Sequence, residues 1–210
     1  MVGSLKGFRK VPLHRVYGRV EQDIDHLWAM RFLTSNTITQ QHVKYNENTQ
    51  LSMQLFGLKP LVLVRNIFDV VISVRDHIRN ESYIGPIAWI DDKHHSMDDE
   101  RLESFITDMV VPWYISFYVS WKNCDSARFI RYEELLADPR AMFLDLFENM
   151  GMNVTAYDLD RALASVSIKN TRRNVGVSGR GEGLSEENKS KIVSLSKNYP
   201  HIDFTQIGLV

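Results

Sequence analysis

The sequence predicts an α/β fold, with a mostly parallel central sheet flanked by helices in a single domain over residues 1–210. Three observations predict it. Pro60-Leu61-Val62-Leu63-Val64-Arg65 is a continuous apolar run, as expected of a parallel strand covered on both faces rather than an alternating one. Each strand candidate is followed by apolar residues at helical spacing, the order that builds strand–helix–strand units. No repeat, low-complexity tract or Pro/Gly/Ser linker divides the chain.

The elements follow in order. Residues 37–43 form a first strand candidate, and residues 60–65 the clearest one. A helix over 68–78 follows that strand at once. Leu102, Phe105, Ile106, Met109, Val110, Trp113, Phe117 and Trp121 mark one long buried helical face, kinked or broken at Pro112. Residues 128–131 read as a further short strand. Met142, Phe143, Leu146, Phe147 and Met150 repeat at helical spacing, and Gly151 ends that helix. Thr155 and Asp158 match a capping box before Leu159, Ala162, Leu163 and Val166. Ser185 caps the last helix, with Glu186 and Glu187 complementing its dipole.

Composition narrows the classes of function. A formal net charge of −1 gives no global attraction to nucleic acid or to an acidic membrane, so any anion site must be local. The single cysteine, Cys124, allows no internal disulfide and suits a reducing, cytoplasmic setting. No run approaches the ~18 apolar residues of a membrane span. Lys6, Arg9, Lys10, Arg15 and Arg19 make the start basic, but without the serine richness of an organellar leader. They read as a solvated basic edge. His94-His95 lies among Asp91, Asp92, Asp98 and Asp99, at a spacing that fits no standard metal site, and reads as a solvated loop.

Three segments can carry chemistry. In sheets of this kind ligands bind beyond the carboxyl ends of the strands. Arg65 stands at such an end beside a helix start, and Ser73 lies eight positions on, about two turns into the helix. Guanidinium plus hydroxyl can cradle a phosphate monoester; the alternative is a solvent-facing cap of the strand. Asp69 is placed near the helix dipole. Residues 165–181 carry Lys169, Arg172, Arg173 and Arg180 without an acid, together with Gly176, Gly179 and Gly181. Such a stretch can cover a phosphate and present backbone N–H groups to it, or it can be a solvated basic loop. Aromatic residues are absent from it, which argues against a nucleic-acid surface. His42 ends the first strand candidate and can serve as a general base or as an ordinary hydrogen-bonded histidine.

Together these segments resemble the sulfotransferases that use 3′-phosphoadenosine 5′-phosphosulfate (PAPS). Residues 59–73, with the Arg65-to-Ser73 separation, resemble the family's 3′-phosphate segment. Phe129-Ile130-Arg131-Tyr132-Glu133-Glu134-Leu135, followed by Asp138-Pro139, resembles its strand and "RYEDL…DP" segment. The resemblance implies a P-loop NTPase-like fold, with Arg65 and Ser73 on the 3′-phosphate and Tyr132 beside adenine. The segment that closes over the same phosphate would draw on Arg172, Arg173, Gly179 and Arg180. His42, close to the family offset before Arg65, would be the catalytic base, although Gln-His-Val-Lys replaces the usual Thr-His-x-Pro. The product would be adenosine 3′,5′-bisphosphate, with no metal required. A polar pocket drawn from residues 78–113, including Tyr83, Trp89 and His94, implies a small-molecule or carbohydrate acceptor.

One family feature is not recognisable before His42: a strand and a Pro-Lys-Ser-Gly-Thr-Thr-like loop that wraps the 5′-phosphosulfate. The expectation is an N-terminally truncated fold. Two rival readings follow: a nucleotide-binding relative without activity, and a P-loop nucleoside or sugar kinase, which would need a Gly-Lys-Ser/Thr loop and magnesium.

Overall fold

The computed structural model describes residues 9–11, 15–16, 19–20, 24, 26–31, 37–80, 88–165 and 177–209. Strands β1 (Arg9–Val11), β2 (Arg15–Val16) and β3 (Arg19–Val20) come first, and each later strand is followed by one or more helices. Helix α1 (His26–Met30), strand β4 (Thr37–Thr39) and helix α2 (Glu47–Phe56) come next. Strand β5 (Leu61–Val64) leads directly into α3 (Ile67–Asn80), and α4 (Asp92–His95), α5 (Asp99–Met109) and α6 (Val111–Lys122) follow. Strand β6 (Arg128–Arg131) runs into α7 (Tyr132–Ala137) and α8 (Pro139–Asn149), and α9 (Ala156–Ala164) and α10 (Glu186–Ser196) complete the helices. A 3-10 turn at Arg180–Gly183 precedes α10.

Among the described residues the strands pair in twos. β1 lies parallel to β4 and β5 parallel to β6, while β2 and β3 form a small antiparallel ribbon. In the β5–β6 pair Val64 stands opposite Arg131, so both strands end at the same level. The strand expected over 37–43 stops at Thr39; the chain beyond it leaves the sheet, and residues 43–45 bond to α6 instead. The Val43 carbonyl accepts the Trp121 indole N–H at 2.9 Å, and the Tyr45 N–H donates to Ser120 Oγ at 3.1 Å. β5 also departs from expectation on one face: Val62 and Val64 are buried, whereas Leu63 is 51% exposed.

The main core lies among α3, α5, α6, α10 and the β5–β6 pair, with Ile67, Leu102, Ile106, Val111, Ile192 and Ile207 fully enclosed. The predicted long helical face is two helices, broken at Val110, with Pro112 in the first turn of α6 where its missing N–H costs nothing. A smaller cluster of Phe147, Leu159 and Ala162 joins α8 to α9. α8 gives way at Gly151, and Thr155 Oγ1 caps α9 by accepting the Asp158 N–H at 3.1 Å. The histidine-rich stretch expected to be a loop contains α4, whose start is capped reciprocally by Asp91 and His94. Hydrogen bonding to His94 holds the Asp91 carboxyl below the usual aspartate range.

Candidate functional site

The site grows from the carboxyl end of β5. Arg65 follows that strand, and its peptide is gripped on both sides by one phenol. Tyr114 Oη accepts the Arg65 N–H at 2.8 Å and donates to the Arg65 carbonyl at 2.9 Å. Burial pushes the Tyr114 hydroxyl well above its ordinary range, so it stays a neutral donor. The next peptide is held by the first turn of α7, which follows the neighbouring strand: the Asn66 N–H donates to Glu133 Oε1 at 2.9 Å. Asn66 then caps α3, its side-chain oxygen accepting from the N–H groups of Phe68 at 3.0 Å and Asp69 at 3.4 Å. The strand-to-helix turn is thus fixed at each successive residue.

The Arg65 side chain runs across this turn. Its guanidinium lies over the Tyr132 ring, 4.7 Å from the centroid, so the ends of β5 and β6 meet through these two residues. Nη2 donates to the Val177 carbonyl at 3.0 Å and lies 3.5 Å from Asp69 Oδ2. Nε is buried and has no hydrogen-bond partner among the described residues. Opposite, Glu133 Oε2 and Arg131 Nε are also buried without hydrogen bonds and face each other at 3.9 Å.

The segment that brings Val177 is seated on α3. Gly179 adopts a left-handed backbone, φ +83°, which favours glycine. Its N–H donates to Asp69 Oδ2 at 2.9 Å, and the Gly181 N–H donates to Oδ1 at 2.7 Å. The sequence suggested that these glycines present N–H groups to a ligand; at Gly179 and Gly181 those groups turn inward to Asp69. Arg180, between them, pairs with Asp76. A cavity of about 220 Å³ opens beside this junction, lined among others by Asn66, Phe68, Gly181 and Lys189.

Arg65, Tyr132, Gly179 and Arg180 therefore converge, and Ser73 lies along the same helix, half-buried, four residues after Asp69. His42 comes from a separate segment, the coil after β4, and is half-buried just before the residues that bond to α6, Val43 to Tyr45. Arg172, Arg173, Lys169, Gly176 and Tyr83 lie outside the described residues. Among the described residues, no cluster of three His, Cys, Asp or Glu side chains is placed to hold a metal ion. No described helix is long and apolar enough to cross a membrane. Sequence reasoning put Asp69 at the helix start, where it is, but missed its two amide partners and the roles of Tyr114 and Glu133 in holding the turn. Only the "YEE" run hinted at the last.

Comparison with known proteins agrees with this geometry. No curated protein matches the chain in sequence. The structure is similar to the crystal structure of mouse sulfotransferase SULT7A1 complexed with PAP, with a TM-score of 0.65 and 15% identity, covering 96% of this chain and 77% of that one. At that identity the likeness is one of fold. The family description "Sulfotransferase domain" matches residues 11–204. That match takes in β5, α3, β6 and the 177–183 segment together, and the chain belongs to the sulfotransferase family.

Proposed function

We propose that this chain moves a sulfuryl group from PAPS to a hydroxyl or amine of a small-molecule or carbohydrate acceptor, releasing adenosine 3′,5′-bisphosphate. The observation that carries this reading is the buried Arg65 Nε, a donor without a hydrogen bond among the described residues, at the end of a fixed strand. Buried donors are seldom left so, and a phosphate oxygen is the acceptor a guanidinium suits best. Ser73 adds a hydroxyl from the same helix, and Arg180, with Arg172 and Arg173, adds cations to the 3′-phosphate. Tyr132, with Arg65 on one face, leaves its ring edge and other face for adenine. Gly179 permits the close approach of the backbone.

PAPS supplies an activated sulfur whose bond to the bridging phosphate oxygen breaks as the acceptor oxygen bonds to it. His42 takes the proton from the acceptor hydroxyl, and the pinned residues 43–45 that follow it position the base for the acceptor. Trp89, 82% exposed, and the half-buried His94 line the side where a polar acceptor would approach.

Calorimetric titration tests the reading. Adenosine 3′,5′-bisphosphate should bind far better than AMP or magnesium-ATP. Arg65→Ala should weaken the bisphosphate about tenfold or more, by the loss of charge-assisted hydrogen bonds, with little change for AMP. Equal losses for both nucleotides would remove Arg65 from the 3′-phosphate. His42→Ala should abolish transfer and leave nucleotide affinity intact; retained turnover would exclude it as the base.

A further inference from the structure

Asp69, Ser73 and Asp76 stand at i, i+4 and i+7 of α3 and so line one face of that helix. The 180–183 turn docks on α3, and Asp69 is where the docking is tightest. It is 1% exposed, and each of its oxygens takes one backbone N–H, from Gly179 at 2.9 Å and from Gly181 at 2.7 Å. One carboxylate thereby grips the chain on both sides of Arg180. Gly181 has no room for any other residue: a Cβ there would stand 2.4 Å from Phe68 Cβ and 2.7 Å from the Asp69 backbone nitrogen. The same carboxylate reaches Arg65 Nη2 at 3.5 Å.

A buried anion beside an anion site would oppose the ligand unless its oxygens were engaged from within. Here they are. We propose that Asp69 is a positioning residue for the 3′-phosphate site, holding the backbone around Arg180 and the guanidinium of Arg65 in one register. The proposal rests on the sulfotransferase reading above. Asp69 does not touch the nucleotide; it acts through the two arginines.

Asp69→Asn keeps the shape but replaces one acceptor oxygen with an NH2 group, so one of the two glycine amides then faces a donor. Adenosine 3′,5′-bisphosphate and AMP are titrated into wild type and variant. In the variant the preference for the bisphosphate over AMP should fall about tenfold, with AMP affinity held within about twofold. A folded variant that keeps the preference, or one that loses both nucleotides equally, overturns the positioning role while leaving the Arg65 reading intact. A wild type without the preference overturns that reading and this proposal with it. Should the variant fail to fold, amide hydrogen exchange on the wild type decides: Gly179 and Gly181 should be protected and should slow further with the bisphosphate. Exchange at both amides at the rate of an open chain, or protection that the bisphosphate leaves unchanged, would overturn it.

Discussion

The two ends of α3 hold the same segment by opposite means. Near its start, Asp69 is sealed from solvent and paired with two uncharged amides. Two turns later, Asp76 sits between guanidinium groups, accepting from Arg75 at 3.0 Å and from Arg180. Arg75 also reaches Glu103 at 2.5 Å and Asp99 at 3.4 Å, and Arg79 joins Asp99 at 3.2 Å. The first arrangement rests on two backbone amides, with the Arg65 guanidinium more distant at 3.5 Å. The second is a network in which Asp76, Arg75 and Asp99 each keep another partner when one leaves. A helix can therefore fix a backbone at one end and hold an exchangeable side chain at the other, which suits an arginine that must also meet a phosphate.

The largest expected difference lies in stability. Asp69→Ala leaves the buried Gly181 N–H and the part-buried Gly179 N–H without their acceptor and should lower the unfolding free energy by about 2–3 kcal/mol. Asp76→Ala, with Arg75 still joined to Glu103, should cost only about 1 kcal/mol. Urea unfolding of both variants measures the gap, and equal losses would erase the distinction between the two ends.

Acid sharpens it. Burial alone would raise the Asp76 carboxyl, but its hydrogen bonds to Arg180 and Arg75 outweigh that and hold it below the usual aspartate range. A depressed folded-state pKa contributes stability that is complete above the unfolded value, near ~3.9, and is lost as pH falls through the folded one. The stability difference between wild type and Asp76→Asn should be steady at neutral pH and close below about pH 4. A gap persisting at pH 2 would place the stabilisation elsewhere.

The smallest effect on stability belongs to Arg180→Ala, within about 1 kcal/mol, since a single ion pair is removed from a network. Its nucleotide effect should be larger, about tenfold weaker binding of adenosine 3′,5′-bisphosphate. Unchanged binding would make Arg180 a purely structural partner of Asp76.

Much of this architecture was legible in the residues because burial and periodicity agree. Ile67, Val71, Ile72 and Ile78 face the core as the spacing of α3 requires, and Pro112 marks the break between α5 and α6. α2 was not legible, because its pattern is inverted. Thr49 and Ser52 are buried, satisfied by the Lys44 carbonyl and the His26 ring, while Leu51 and Leu55 stand 46% and 60% exposed. Apolar periodicity cannot announce a helix whose inward face is polar. At the site, Arg65, Ser73 and Tyr132 were visible as types at fixed offsets. Asp69 looked like an ordinary helix-start acid, because its partners lie 110 and 112 residues away.

That separation also sets an order of events. Each contact between Asp69 and the glycines closes a loop of more than a hundred residues, and long closures are entropically the last to be rewarded. α3 can pack on α5 from nearby sequence, but the junction that seats Arg180 waits for the chain beyond it to be made. During synthesis from the N-terminus, only the part of the core drawn from α3, α5, α6 and the β5–β6 pair can form before the proposed nucleotide site, since Ile192 and Ile207 follow Gly181, and a chain stalled short of Gly181 would fold in part around an aspartate still lacking its donors.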